Sequence, residues 1–84
     1  MNLPKYRCHK IVEAAPIWMI GTPSPRHILV KLGDAAVREI EIDPAKLFAR
    51  YTPVLGDYFV IYEDGYQSIS PKAAFEAGYT RIEE

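Results

Sequence analysis

Cys8, His9 and His27 are the side chains of this chain best suited to hold a metal or to build a nucleophile. A structural zinc site needs four ligands, usually in paired spacings, and neither a CxxC nor an HxxxH occurs in the 84 residues. A Cys–His nucleophile pair needs the two groups to face each other, with a third group orienting the base. Neighbours on a strand point to opposite faces, so Cys8 does not meet His9, and it meets His27 only by an accident of the fold. Glu63-Asp64 resembles an acid pair, but Gly65 follows it, and Asp before Gly is turn chemistry. No Gly-x-Gly phosphate loop occurs. These residues predict no catalytic group, no metal site and no cofactor, and the chain reads as a non-enzyme.

Binding is the chemistry left to consider. Six tyrosines, three phenylalanines and one tryptophan supply rings, and in a domain this small most of them serve as core. A ring left exposed beside a turn would be a stacking platform for a base, and Tyr66 is the candidate. Lys5, Arg7, His9, Lys10 and Arg26 could then contact the phosphates of a small nucleotide. The charge distribution is consistent with this. The net charge is −1, yet residues 1–31 carry five basic residues against Glu13, a balance of +4, while residues 32–84 carry five basic and ten acidic residues, a balance of −5. The plainer explanation is that the two regions are neighbouring strands whose charges offset. Without an overall basic excess, double-stranded DNA is not an expected partner.

The elements that must position these residues follow from pattern and punctuation. Residues 5–15 read as one strand with a bulge near His9-Lys10, ended by Pro16, and Ile17–Ile20 as a short strand apolar on both faces. Gly21–Pro25 is a loop. His27–Leu32 and Ala36–Ile42 form a hairpin. A three-residue loop, Gly33-Asp34-Ala35, sets Ile28 opposite Ile40 and keeps Ile28, Val30, Leu32, Ile40 and Ile42 on one side, whereas a two-residue loop sets Ile28 opposite Glu39. Asp43-Pro44 starts a helix expected to reach about Tyr51. Asp64-Gly65 suits a two-residue type I′ turn, which pairs Val60 with Ile69. That register puts Tyr58, Val60, Tyr62, Gln67 and Ile69 on a core face. It leaves Phe59, Ile61, Glu63, Tyr66, Ser68 and Ser70 on the other, and Phe59, Ile61, Tyr66, Ser68 and Ser70 become the candidate recognition surface. Ser70-Pro71 should cap a helix to Ala77, with Gly78 as a left-handed stop and Tyr79–Ile82 as a closing strand.

The sum is a single α+β domain over 1–84: a small antiparallel sheet or open barrel of five to six short strands with two short helices. At 49% apolar and 25% charged residues the composition is that of a globular protein. A domain of this size buries a modest core, and self-association into a homo-oligomer would help. One cysteine allows no internal disulfide, which suggests an intracellular setting. No apolar run follows the basic start as in a signal peptide, and none is long enough to span a membrane.

Two segments carry a resemblance. Lys5-Tyr6-Arg7-Cys8-His9-Lys10 and the stretch Gly56 to Ile82, with Tyr62-Glu63-Asp64-Gly65-Tyr66, Ser70-Pro71 and Ala74-Phe75-Glu76-Ala77-Gly78-Tyr79-Thr80, are similar to a family of small proteins encoded by tailed bacteriophages and prophages of Gram-negative bacteria. The match covers about a third of the chain and is most specific at the C-terminal end. Asp57 stands where a second glycine is expected. The resemblance implies phage origin and the cytoplasm of an infected or lysogenic bacterial host. It carries over no site residue. The expected role is an accessory protein acting by binding, in host interaction or counter-defence. Its partner would be a host or phage protein or a small nucleotide. A small virion structural or assembly component is the alternative.

Overall fold

The computed structural model describes residues 3–7, 11–33, 36–49 and 51–81. In chain order its elements are β1 (Lys5–Arg7), β2 (Ile11–Ile20), β3 (His27–Lys31), β4 (Val37–Glu41), α1 (Pro44–Leu47), β5 (Tyr58–Ile61), β6 (Gln67–Ser70), α2 (Lys72–Gly78) and β7 (Thr80–Arg81). All pairings are antiparallel and the sheet is open, so the fold is α+β with two short helices, as the sequence indicates. Among the described residues the strands number seven, against the five to six expected. Among the described residues no helix is long and apolar enough to cross a membrane.

The long strand β2 organises everything else. Its first part pairs with β1 (Lys5 with Glu13, Arg7 with Ile11), and its last part pairs with β3 (Ile17 with Val30, Ile20 with Ile28). Residues 13–16 pair with β5, from Glu13–Ile61 to Pro16–Tyr58. Two sheets therefore share β2: β7-β1-β2-β5-β6 and β2-β3-β4. A register irregularity between Ile17 and Met19 marks the point where the strand passes from one sheet to the other.

Two expectations for this region fail. Residues 5–15 are two strands forming a hairpin, not one bulged strand; His9 and Lys10, where the bulge was expected, lie outside the described residues. Pro16 does not end the strand either. Ala14 N–H donates to Pro4 O at 2.8 Å, toward β1, while Ile17 N–H donates to Asp57 O at 2.7 Å, toward the β5 side. By alternation the Pro16 nitrogen faces the β1 side, where β1 has ended and β3 has yet to begin. Among the described residues no ladder bond is lost there, so proline is tolerated inside a strand.

The β3–β4 hairpin has the register that its pattern demands, with Ile28 opposite Ile40 and Leu32 N–H donating to Ala36 O at 3.0 Å. The β5–β6 hairpin does not. Phe59 pairs with Ile69 and Val60 with Ser68, and Tyr62 N–H donates to Tyr66 O at 2.9 Å. The loop is thus three residues, Glu63-Asp64-Gly65. Gly65 N–H donates to Tyr62 O at 2.9 Å and Gly65 has φ +88°: a tight turn closed by a left-handed glycine. The slip of one residue regroups the faces. Phe59, Ile61, Gln67 and Ile69 share one, while Tyr58, Val60, Tyr62, Tyr66, Ser68 and Ser70 share the other.

Both faces of β5 are buried. On one, Phe59 and Ile61 join Leu3, Ala15, Ile17, Ile28, Val30, Ile40 and Ile42 between the two sheets, with Leu47 and Phe48 against them. On the other, Tyr58 and Val60 pack with Val12, Ala14 and Phe75 under α2. The Tyr58 and Phe75 rings stack at 4.3 Å, and those of Phe75 and Tyr79 at 4.6 Å. Each fully buried Val, Leu, Ile or Phe side chain contributes about 1.5–3 kcal/mol by area.

The helices differ from expectation at their ends. Asp43 caps α1 as expected, accepting from Ala45 N–H at 3.2 Å, but α1 stops at Leu47. Leu47 and Phe48 have then reached the core, and the chain leaves to bring Tyr51 to Asp57, with Thr52 held off the helical region by Pro53. At α2 the expected Ser70 cap is absent, because Ser70 is a strand residue paired with Tyr58. The Lys72 N–H is capped by Asp57 Oδ1 at 3.0 Å. Gly78 is no left-handed stop: it is the last helical residue, outside the positive-φ glycines, and Tyr79 follows in extended conformation.

Candidate functional site

The corrected register divides the candidate recognition residues. Phe59 is fully buried and Ile61 lies at the edge of the same core, so neither presents a surface; the central position of β5 between two packed layers is the reason. Ser68 and Ser70 are half-buried on the opposite face. Tyr66 remains, and it is 66% exposed.

Tyr66 stands where three grooves meet. One, of about 450 Å³, is lined by Tyr62, Glu63, Asp64 and Tyr66. Its two rings lie 5.9 Å apart with 33° between their planes. A second is lined by Asp43, Lys46, Leu47, Gly65, Tyr66 and Gln67, where the β5–β6 turn approaches α1. A third runs along β6 past Lys46, Tyr51, Tyr66, Gln67 and Ser68. The edge of β6, which pairs with β5 alone among the described residues, the three-residue loop and the shortness of α1 together open this surface. The loop is itself held by Asp64, whose Oδ1 accepts from Tyr66 N–H at 3.0 Å.

Of the cations in the phosphate-contact reading, the two whose side chains are described, Lys5 and Arg26, do not line the grooves around Tyr66. Lys5 lines a fourth groove with Ile11, Val12, Glu13, Ile61, Tyr62 and Glu63, on the far side of Tyr62. Arg26 lies in the turn before β3, its N–H donating to Ser24 Oγ at 3.2 Å and its carbonyl accepting from Ile42 N–H at 2.8 Å. Arg7 belongs to β1 by its backbone, and nothing is described of its side chain. His9 and Lys10 lie outside the described residues, as does Cys8. Lys46, which no sequence argument singled out, is the described cation that borders Tyr66. His27 is engaged locally, with Nδ1 2.6 Å from Ser24 Oγ and Nε2 3.6 Å from Glu39.

The most organised polar centre is one that the sequence reading passed over. Asp57 is 3% exposed. Its Oδ2 accepts from the Tyr51 hydroxyl at 2.7 Å and from Val54 N–H at 3.0 Å, and its Oδ1 accepts from Lys72 N–H. Burial pushes the carboxyl pKa up, but the three hydrogen bonds outweigh it and hold the group below its ordinary value. The bond to Asp57 in turn pushes the Tyr51 phenol up. Both oxygens of Asp57 are engaged in joining the 51–57 segment to α2, so this is an architectural centre. Its only sequence signal was an aspartate beside Gly56 where a glycine was expected.

A second exposed feature is apolar. Trp18, Met19 and Ile20 on β2, with Val54 and Leu55 in the turn that meets Ile17, are all exposed. No family model, curated protein or solved structure matches the chain.

Proposed function

We propose that the protein is an accessory protein of a phage or prophage that acts by binding, and that the β5–β6 turn is its contact surface. The observation that carries the binding part is Tyr66, a large ring left in solvent at the junction of three grooves on a tightly bonded loop. The phage setting rests on the resemblance of the two end segments. In this reading the protein works in the cytoplasm of an infected or lysogenic bacterium, in host interaction or counter-defence, and holds a host protein. Sequestration of a small nucleotide is the other form of the same reading.

The test is affinity capture in infected cells with the wild-type chain and Tyr66→Ala side by side. A protein retained by the first and lost by the second supports the reading. Identical captures, together with an infection outcome unchanged by Tyr66→Ala, overturn it. Thermal shift against mono- and cyclic nucleotides addresses the sequestration form: a shift abolished by Tyr66→Ala supports it, and no shift with any nucleotide ends it.

A second reading, a small virion assembly component, draws on the exposed Trp18, Met19, Ile20, Val54 and Leu55. Mass spectrometry of purified virions decides it, since a structural component must be found there.

A further inference from the structure

The groove between Tyr62 and Tyr66 has a chemistry of its own. Its described lining is two tyrosine rings and two carboxylates, Glu63 and Asp64. Ring faces carry negative quadrupole potential, and the carboxylates add negative charge at the rim. Such a cleft attracts cations and repels phosphate. The loop geometry keeps this arrangement in place: Asp64 spends one oxygen, Oδ1, on Tyr66 N–H, and Tyr62 N–H is bonded to Tyr66 O, so the rings and acids are fixed to one frame. Of the neighbouring lysines, Lys46 borders the α1 side of Tyr66, and Lys5 lines an adjoining groove that shares Tyr62 and Glu63 with this one.

We propose that this cleft is a docking site for an arginine side chain of a partner protein. This deepens the reading of the β5–β6 turn as the contact surface and rests on it. A guanidinium matches the lining better than an ammonium. It is planar, so it stacks on the exposed face of Tyr66, and its fork of N–H donors suits a carboxylate such as Glu63 in bidentate fashion. Charge complementarity also favours a cation over a nucleotide: a phosphate here would meet Glu63 and Asp64, and among the described residues no cation lines this cleft.

The experiment is an NMR titration of the full chain with acetyl-Gly-Arg-Gly-amide, with the same peptide carrying citrulline in place of arginine, and with adenosine monophosphate. Citrulline keeps the shape and loses the charge. The expected result is a saturable shift of the amide signals of Tyr62 through Tyr66 with the arginine peptide alone. Glu63→Gln and Tyr66→Ala should each weaken it about threefold or more, while the remaining spectrum shows the fold intact. Equal shifts from citrulline, shifts mapping elsewhere, a stronger response to adenosine monophosphate, or no response at millimolar peptide each overturn the proposal. If the arginine peptide fails while Tyr66→Ala still abolishes capture of a partner in cells, the contact surface stands and the arginine assignment falls.

Discussion

The two hairpins β3–β4 and β5–β6 are built alike and are specified differently. Their last bonds before the turn match, Leu32 N–H donating to Ala36 O and Tyr62 N–H to Tyr66 O. In β3–β4 one face carries the buried Ile28, Val30 and Ile40, with Arg38 half-buried opposite Val30, and the other carries His27, Lys31, Glu39 and Glu41 beside Leu29 and Val37. A slip of one residue there would bury the charges, so the pattern alone sets the register. In β5 all four residues are buried. Alternation has nothing to say about such a strand, and the register passes to the turn, to Asp57 and to the partner strand β2. A strand buried on both faces is thus the best packed and the least legible.

The largest test of this contrast is in the core. Phe59→Ala should cost about 3–5 kcal/mol, at the upper end for any single truncation, whereas Ile40→Ala on the edge strand β4 should fall nearer 2–3 kcal/mol. Urea unfolding of both variants measures the gap, and equal losses would remove the distinction between the central and the edge strand.

Next comes the entry to each hairpin. The β5–β6 hairpin is entered through Asp57, and Asp57→Ala strips three donors of their acceptor. A loss of about 2–3 kcal/mol is expected. Because the folded-state pKa of Asp57 is depressed, its contribution is complete above the ordinary carboxylate value, about 4, and is lost as pH falls through the lowered folded value. The stability gap between wild type and Asp57→Ala should therefore be flat above about pH 5 and narrow below about pH 4. Thermal melts across that range check it; a gap that widens in acid would mean that the hydrogen bonds do not favour the ionised form.

The turn itself ranks third. Gly65→Val should cost about 1–2 kcal/mol. A Cβ at Gly65 meets nothing within 4 Å, so the cost is that of positive φ alone. An unchanged melting temperature would show that the left-handed closure is dispensable. Smallest is Tyr66→Ala, which should alter stability by no more than about 0.5 kcal/mol, since the ring is mostly in solvent. A large loss would turn Tyr66 from a contact residue into a packing residue.

What the sequence showed, it showed through local chemistry. Asp43-Pro44 started a helix, Gly33–Ala35 set a register, and Gly65 marked a turn. What it hid was decided by distant partners. Ser70-Pro71 looked like a cap because the local pattern favours one, yet the cap came from Asp57, fifteen positions away. Asp64-Gly65 looked like a two-residue turn because that is the commonest use of the pair, and the third loop residue, Glu63, carried no signal. Of the candidate surface, Tyr66 kept its place because an exposed ring beside a turn depends little on register. Phe59 and Ile61 lost theirs because a one-residue slip and a second packed layer moved them inside.

The sharing of β2 between two sheets has a kinetic consequence. The hairpins β1–β2, β2–β3, β3–β4 and β5–β6 each join neighbours in the chain, and such contacts form early at little entropic cost. The β2–β5 ladder joins Glu13 to Ile61 and closes most of the chain into one loop. Docking of β5 onto β2 is then the step expected to set the folding rate. Val60→Ala should slow refolding more than Val30→Ala, as followed by the fluorescence of Trp18, and the reverse order would place the nucleus in the β3–β4 hairpin instead.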